Sequence, residues 1–306
     1  MKPTDPQLSD MRWISPGSFL MGSDHHYREE APARRTAVSG FWIDVHPVTN
    51  AEFARFVAAT DYVTTAERPP DTAPGRLHPL APASAVFHRT SYRVDLRNPY
   101  NWWCFVPGAD WSHPRGPGSS IEGLDGHPVV HVTQEDAHAY AAWADKDLPT
   151  EAEWEFAARG GLDAMEFAWG DTLMPDDVHM ANLWQGEFPH ENLCADGYEW
   201  TSPVGTFPPN GYGLYDMIGN VWEWTRDWYA DSLNLPACCT PQPNRDGPHE
   251  FEPAHAGAHA PRKVLKGGSF LCAPNYCRRF RPAARMAQPI NAAACNVGFR
   301  CVSRSS

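Results

Sequence analysis

Two cysteines near the end of the chain can act together only if the backbone between them turns sharply. Cys272 and Cys277 lie in the segment 266–281 with four residues between them. In a regular strand this spacing would direct the thiols to opposite faces, and in a helix they would also miss a common face. Pro274 and Asn275, which stand between them, are turn-forming residues. The sequence therefore predicts a turn that brings the two thiols together.

Two adjacent thiols can form a disulfide, hold a soft metal ion or carry out redox chemistry. A structural zinc site usually needs four ligands at the spacing of a CxxC motif, which this segment lacks. Two thiolates alone suit Cu(I), a soft ion that accepts low coordination numbers. From the spacing alone, a structural disulfide or two buried free thiols is favoured over a metal site.

Composition identifies a globular chain and limits its partners. Hydrophobic residues make up 42% of the 306 residues and charged residues 20%, which is enough apolar surface to bury a core. The 30 prolines and 23 glycines indicate many turns and little long regular structure. Because the net charge is −12 and no basic run exceeds Arg278-Arg279, we expect no nucleic-acid partner.

Other features bear on location and redox state. No apolar stretch approaches the ~20 residues that would span a membrane. The first ten residues are polar and hold no apolar signal-peptide core, so we expect a cytoplasmic monomer that does not bind a membrane. Since a chain of this length does not need disulfides, we expect most of the eight cysteines to be reduced.

Short strands are expected in the first part of the chain. Apolar runs broken by Pro and Gly predict β structure over 11–48, and the apolar run 128–132 predicts a buried strand. The Pro-rich segments 64–120 and 231–262 are expected to be irregular. No linker or internal repeat is evident, so we expect one domain that spans 1–306.

Three helices are predicted from capping boxes, in which a threonine is followed three residues later by Glu or Asp. The acidic residue of each box is followed by apolar residues, which favours a helix packed against a core. The predicted helices run from Thr49 to about Thr60, from Thr133 to about Asp145, and from Thr150 to a stop at Gly160-Gly161.

Longer motifs give the chain a resemblance to the formylglycine-generating enzymes, the sulfatase-modifying factors. The resemblance extends from about residue 12 to residue 302 and includes the two cysteines in their surroundings. It implies an α+β, loop-rich, C-type-lectin-like fold with low regular secondary structure. The motifs are Gly-Ser-Phe-x-Met-Gly (17–22), Pro-Val-Thr-Asn (47–50), His-Pro-Val-Val-His-Val (127–132), Leu-Pro-Thr-Glu-Ala-Glu-Trp-Glu (148–155), Gly-Asn-Val-Trp-Glu-Trp (219–224) and Gly-Gly-Ser (267–269).

The resemblance implies a copper site and a reaction. By this resemblance Cys272 and Cys277 bind Cu(I), while Ser269, Tyr276 and Trp222 surround the oxygen and the substrate sulfur. Removing hydrogen from an unactivated carbon needs an activated oxygen species, which side-chain acid–base chemistry cannot supply. The implied function is an oxidase that converts the cysteine of a Cys-x-Pro-x-Arg motif to Cα-formylglycine. Its partners would be an unfolded or nascent sulfatase, O₂ and a thiol reductant.

The implied substrate groove is lined by Trp102, Trp103 and Asn296. The chain departs from better-known members where acidic residues receive the arginine of the substrate motif. Those positions fall at Pro47 and near Ala83 in this sequence. These changes affect the expected substrate preference more than the reaction.

Three further observations accompany this departure. Asp44 or Asp71 could substitute for the missing acidic residues. Ala273 replaces a histidine that is common after the first cysteine of the pair. No partners remain for the structural disulfides of the family, so Cys301 is expected to be a free thiol.

Two structural calcium sites are also implied by the resemblance. Carboxylates mixed with backbone carbonyls are the ligands that Ca²⁺ prefers, and ions that join loops would stabilise a loop-rich fold. The family commonly has Asn at the position of Asp216. The two ligand sets are Asn182, the Leu183 carbonyl, Asp196 and the Tyr198 carbonyl, and Asp216, the Gly219 carbonyl, the Val221 carbonyl and Glu223.

Two other functions compete with the oxidase. One is a noncatalytic ligand- or protein-binding module on the same scaffold, which predicts no role for Cys272 or Cys277 and no copper binding. The other is an iron-dependent sulfoxide synthase of the ergothioneine type, which needs an additional N-terminal helical domain with histidine ligands. The cysteine pair in its Gly-Gly-Ser context favours the oxidase.

Overall fold

A computed structural model describes residues 10–70, 81–230 and 261–304, in which short strands and helices are joined by many turns. The α+β, loop-rich fold expected from the sequence is confirmed. The strands are β1 (Met11–Ile14), β2 (Gly17–Met21), β3 (Arg34–Val38), β4 (Phe41–Asp44), β5 (Ala83–Phe87), β6 (Trp103–Pro107), β7 (Trp222–Trp228), β8 (Arg262–Lys266), β9 (Arg285–Pro289), β10 (Val297–Gly298) and β11 (Val302–Ser303). The helices are α1 (Asn50–Thr60), α2 (Gln134–Trp143) and α3 (Glu151–Ala158), with short 3₁₀ turns at Arg28–Glu30, Thr65–Glu67, Pro99–Asn101 and Pro175–Asp177.

Two sheets organise the described residues. One is a three-stranded sheet in the order β1-β4-β11, and the other is a four-stranded sheet in the order β10-β7-β8-β9. Two hairpins, β2-β3 and β5-β6, accompany them. In the four-stranded sheet β10 lies parallel to β7 and pairs Val297 with Trp222. Strand β8 lies between β7 and β9 and leads directly into the cysteine segment, so this sheet positions the candidate site.

The three capping boxes form as predicted. The side chains of Thr49, Thr133 and Thr150 each accept the backbone N–H three residues on, and the acidic residue there reaches back to the cap. Such a cap stabilises a helix by typically ~1 kcal/mol. The first helix ends where Asp61 enters the left-handed region, at φ 52°. None of the helices in the described ranges is long and apolar enough to cross a lipid bilayer.

The segment 128–132 is buried, but the predicted strand is wrong. His131 adopts a φ of 60°, which interrupts an extended conformation. The amide of Val129 donates to Val48, whereas the amide of His131 donates to Ala294. The run is therefore a buried crossing segment that bonds to two different parts of the chain.

The described part of the segment 64–120 is more regular than predicted. Strands β5 and β6 form an antiparallel hairpin in which Phe87 lies opposite Trp103. A long connection joins these strands, so the sequence contains no short turn motif that would predict the hairpin. Residues 71–80 lie outside the described residues. The predicted loop 231–262 also lies outside them, except for its last two residues, of which Arg262 begins β8.

A buried ion pair fixes the end of β8. The Lys266 side chain is fully buried, and its ammonium group lies 3.0 Å from Glu155 and 3.7 Å from Glu151 on α3. A buried charge is costly to leave unpaired. Helix α3 therefore holds the point from which the cysteine segment departs.

Candidate active site

A tight backbone reversal follows β8 and begins the loop that carries the two cysteines. Gly267 and Gly268 have φ angles of 94° and 77°, which residues with a β-carbon rarely adopt. A β-carbon on Gly268 would lie 3.0 Å from the Arg279 carbonyl oxygen and 3.0 Å from the Phe280 α-carbon. The glycine therefore allows the outgoing and returning ends of the loop to pack backbone against backbone.

The loop brings the two thiols together, as the turn residues predicted. The amides of Tyr276 and Cys277 both donate to the Ala273 carbonyl, at 3.0 Å and 2.8 Å. The Sγ atoms of Cys272 and Cys277 are 3.6 Å apart. This exceeds the ~2.05 Å of a disulfide, and both cysteines are free thiols. Two sulfur atoms therefore face each other at hydrogen-bonding distance.

The two thiols differ in exposure and in proton affinity. The hydrogen bond to Cys277, together with burial, holds the pKa of Cys272 well above its usual value. The hydrogen bond from Cys272 lowers the pKa of Cys277 to about 6, assisted by the amide and guanidinium groups of Arg279 and opposed by burial. At neutral pH the pair is therefore a Cys277 thiolate that accepts a hydrogen bond from a Cys272 thiol.

Ser269 connects the thiol loop to the four-stranded sheet. Its amide donates to Sγ of Cys272 at 3.4 Å, and its hydroxyl oxygen accepts from Nδ2 of Asn296 at 3.0 Å. The pairing of β10 with β7 places Asn296, whose carbonyl accepts the Trp222 amide at 2.8 Å. Trp222 packs in the same hydrophobic cluster as Cys272. Ser269 therefore contacts the buried thiol directly, and Asn296, which was predicted to line the substrate groove, is linked to the thiol through Ser269.

Aromatic rings flank the thiol loop on another side. The ring of Tyr276 stacks on Phe188 with centroids 4.5 Å apart, and it meets Trp102 edge-to-face at 5.4 Å. Burial raises the pKa of Tyr276 to about 12, so its hydroxyl is protonated at neutral pH. Trp103 is half-buried and packs against Phe87 at 6.3 Å. Trp102 is fully buried and packs against the inner side of Tyr276. Tyr276 and Trp103 are partly exposed to solvent.

Two residues of this aromatic cluster were missed in the sequence. The amide of Trp184 donates to the Cys272 carbonyl at 3.1 Å, and its ring packs against Phe188 at 5.2 Å. Both residues come from an irregular segment without strand or helix periodicity. Because periodicity is the signal that assigns apolar residues to a face, the contacts of these rings could not be predicted from the sequence.

The first predicted calcium set contains a buried oxygen without a hydrogen-bond partner in the described ranges. This atom is Oδ1 of Asn182. The Asp196 carboxylate accepts from the amides of Leu183 at 3.1 Å and Tyr198 at 3.0 Å. The Gln185 side-chain amide donates to the Leu183 carbonyl and, at 2.7 Å, to Asp196, so the positive end of a dipole faces two predicted ligands. An unpaired buried oxygen is costly, and this mixture of oxygens suits Ca²⁺, so the residues fit the ion.

The carboxylates of the second predicted calcium set already accept hydrogen bonds from protein groups. Glu223 accepts from Arg300 at 2.7 Å and 2.8 Å and from the Trp154 indole at 2.7 Å. Asp216 accepts from the Gly205 amide at 2.8 Å, and burial raises its pKa. No group of three or more His, Cys, Asp or Glu side chains gathers as a metal site in the residues the structure describes. The second calcium site therefore stays a prediction.

Asp44 and Cys301 have structural surroundings. The Asp44 carboxylate is buried, and it accepts from Lys146 at 2.6 Å and from the Cys301 amide at 2.8 Å. With these contacts Asp44 is not open to receive a substrate side chain. Cys301 is a free and fully buried thiol, as predicted. Asp71, the other suggested substitute, lies outside the described residues.

Known proteins resemble the chain over nearly its whole length. The family model of the sulfatase-modifying factor enzyme 1-like domain matches residues 1–305. The formylglycine-generating enzyme of Mycobacterium tuberculosis is 50% identical over 97% of this chain and 98% of its own length. The inactive Cα-formylglycine-generating enzyme 2 of Mus musculus is 40% identical over 94% of this chain and 83% of its own length. The structure of PvdO from Pseudomonas aeruginosa shares the fold, with a TM-score of 0.64 at 24% identity over 98% of this chain and 97% of that one. The chain therefore belongs to the sulfatase-modifying factor family, whose members include the formylglycine-generating enzymes.

Proposed function

We propose that this protein is a copper-dependent oxidase that generates Cα-formylglycine from a cysteine in sulfatases. Relatives named formylglycine-generating enzyme, at 50% identity in M. tuberculosis and 42% in M. musculus, support formylglycine generation. A relative at 40% identity is named inactive, so family membership alone does not decide the activity. The observation that carries the proposal is the pair of free thiols of Cys272 and Cys277, 3.6 Å apart.

The thiol pair fits a Cu(I) ion. Two thiolate sulfurs are soft ligands, and Cu(I) accepts so small a ligand set. The Cys277 sulfur is a thiolate at neutral pH and is partly exposed, while Cys272 is held from behind by the Ser269 amide. Bound there, copper would supply the one-electron chemistry with O₂ that protein side chains lack. Ligation would release the remaining proton of Cys272, because metal ligands bind as thiolates.

The proposed reaction balances with an external thiol as the reductant. The substrate CH₂–SH group, one O₂ and two thiols give an aldehyde, hydrogen sulfide, water and one disulfide. The substrate carbon loses one hydrogen and its C–S bond and gains a C=O double bond, so it is oxidised by two electrons. The two thiols supply the other two electrons and two protons needed to reduce O₂ completely. The thiol reductant is therefore a stoichiometric reactant.

The surrounding side chains would hold and orient the reactants. The Ser269 hydroxyl oxygen accepts from Asn296 and, at 3.4 Å, from the Leu271 amide, so its own proton can be donated towards the site. The Tyr276 hydroxyl, protonated at neutral pH, offers a second donor at the rim. Trp222 and Cys272 belong to one buried hydrophobic cluster, which would exclude water from the inner side of the thiol. Trp103 and Tyr276 give an extended peptide an aromatic surface.

We also propose that the first predicted ligand set binds a structural Ca²⁺. Its support is the Asn182 Oδ1 atom, which lacks a hydrogen-bond partner in the part of the chain that the structure describes, together with the Asp196 carboxylate. This ion would tie the segment that carries Trp184 to the loop that follows Asp196. Since the Trp184 amide holds the Cys272 carbonyl, calcium would steady the thiol loop indirectly.

The test is mass spectrometry of a Cys-x-Pro-x-Arg peptide after incubation with the protein, Cu(I), O₂ and a thiol. We expect an aldehyde product that requires copper and is lost in Cys272→Ala and in Cys277→Ala. Cys104→Ala is the matched control, because Cys104 is a free thiol exposed on β6. Conversion by either loop variant at the wild-type rate would contradict the proposal.

A noncatalytic binding module is the second candidate, favoured by the relative that is named inactive. It predicts neither copper binding nor conversion, and peptide binding that survives both cysteine substitutions. Copper titration of the wild-type protein separates the two functions. Stoichiometric Cu(I) binding lost in Cys277→Ala supports the oxidase, and absence of binding supports the module.

A further inference from the structure

Among the residues that the structure describes, one carboxylate at the rim of the thiol loop has no close partner. Glu187 directly precedes Phe188, whose ring stacks on Tyr276. Its Oε2 accepts from Nδ2 of Asn275, in the loop between the two cysteines, at 3.5 Å. The same oxygen lies 3.7 Å from the Arg93 guanidinium. Both distances are long for charge-assisted contacts, which are usually ~2.7–2.9 Å.

Two other acidic side chains around the loop already form close ion pairs. Glu29 lies 2.6 Å from Arg279, and its side chain is 21% exposed. Glu166 lies 2.6 Å from Arg278, and its side chain is 25% exposed. The Glu187 side chain is 49% exposed, about twice as much, and its contacts are longer. Of these three carboxylates, Glu187 is therefore the one able to accept a new cation without losing a close ion pair.

We propose that Glu187 receives the cationic side chain of the substrate peptide, an inference that rests on the proposed function. The substrate arginine would approach Glu187 past the exposed ring of Tyr276, which stacks on the buried Phe188. The Arg93 guanidinium, 77% exposed, lies 3.7 Å from this carboxylate, so a guanidinium group can approach it from solvent. The Asn275 side-chain amide lies on the loop side of the carboxylate, at 3.5 Å. The site thus takes a peptide with a basic residue a few positions from the reacting cysteine.

The reach of a peptide is compatible with this assignment. An extended chain spans at most ~14 Å over four residues, so the receiving group must lie on the same rim as the thiols. Glu187 meets this condition because it contacts Asn275, two residues before Cys277. Asp44, suggested from the sequence, is buried in its contact with Lys146.

The experiment measures charge preference in wild type and in Glu187→Gln. Peptides carry Arg, Gln or Glu at the fourth position after the cysteine, and kcat/KM is measured for each. We expect wild type to prefer Arg over Gln by roughly fivefold, as a partly exposed ion pair allows, and Glu187→Gln to reduce this ratio towards one. In Glu187→Arg we expect the order to reverse, with the Glu peptide converted fastest.

A matched control tests whether any loss of preference is specific to Glu187, and a binding assay measures the preference without catalysis. Glu199→Gln removes a carboxylate of similar exposure, 51%, which pairs with Arg89 at 3.4 Å. We expect it to retain the wild-type ratio. Binding of labelled peptides with serine in place of cysteine, followed by fluorescence polarisation, gives the same ratios without catalysis.

The outcomes separate this inference from the proposed function. Preference for Arg in binding that is lost in Glu187→Gln supports the assignment, even if no peptide is converted, which would contradict the oxidase alone. An Arg/Gln ratio that is the same in wild type and Glu187→Gln overturns the assignment, even if every peptide is converted. Equal loss of preference in Glu199→Gln also overturns it, because the effect would then be general surface charge.

Discussion

The sulfur of Cys272 lies 3.6 Å from the sulfur of Cys277, in a loop whose two ends meet at Gly268. One sulfur is buried and protonated, and the other is partly exposed and ionised at neutral pH. Cys272 is therefore the buried thiol of the pair, and Cys277 is the thiol that solvent can reach. A substrate, a metal ion or an oxidant would therefore meet Cys277 first.

The first prediction concerns the reactivity of Cys277 in the copper-free protein. Because the pKa of Cys277 is lowered to about 6, its thiolate is lost only as the pH falls through about 6. We expect its rate of alkylation by iodoacetamide to rise between pH 5 and 7 and then level off, since the thiolate is the nucleophile. Peptide mapping follows Cys277, with exposed Cys104 as the internal reference. In Cys272→Ala, which lacks the donor thiol, the midpoint should move upward; an unmoved midpoint would contradict the role of that hydrogen bond.

The second prediction concerns the stacking of Tyr276 on Phe188. Tyr276→Phe keeps the ring and removes the hydroxyl, whereas Tyr276→Ala removes both. An aromatic pair contributes ~0.5–1.5 kcal/mol beyond its buried area. We expect Tyr276→Ala to raise the KM for the peptide several-fold and Tyr276→Phe to lower kcat with little change in KM. Steady-state kinetics with the pair of variants checks this, and equal effects on KM would argue against an aromatic peptide surface.

The third prediction concerns calcium. An ion that binds the folded state stabilises it by about 2.7 kcal/mol at a concentration of 100 Kd. We expect added Ca²⁺ to raise the Tm of protein treated with EDTA, and Asp196→Ala to abolish the increase. Asp163→Ala is the control, since Asp163 binds Arg35 and the Leu20 amide on an exposed surface. A calcium response that persists in Asp196→Ala would exclude the first ligand set.

Local chemistry made part of this fold predictable. The helix starts were found because each cap, such as Thr133, bonds to a residue three positions away in sequence. The turn at Pro274-Asn275 was found for the same reason. The segment around His131 was misjudged because its positive φ depends on contacts with distant parts of the chain.

The candidate site was predictable only where motifs mark it. Of the residues that the resemblance named, Ser269 contacts Cys272, and Asn296 contacts Ser269. Trp184 and Phe188 were missed because their contacts depend on which loop packs against the cysteine segment. A sequence pattern carries no local signal for such a contact between two irregular segments.

The last prediction concerns the ion pair that anchors the returning end of the thiol loop. Arg281 and Glu30 are both buried and form two contacts, at 2.5 Å and 2.8 Å. Glu30→Gln leaves the Arg281 charge buried without its partner, which costs ~3–5 kcal/mol. We expect a corresponding loss in the free energy of unfolding, measured by urea denaturation.

Glu29→Gln is the control for this measurement, because Glu29 binds Arg279 in a more exposed position. It should cost less than Glu30→Gln, since water can solvate the charge that remains. The double variant Glu30→Gln with Arg281→Met should recover much of the lost stability, because no buried charge is then left alone. A Glu30→Gln protein as stable as wild type would show that water already reaches Arg281. The thiol loop would then depend mainly on Gly268 and the hydrogen bonds of Ser269 for its shape.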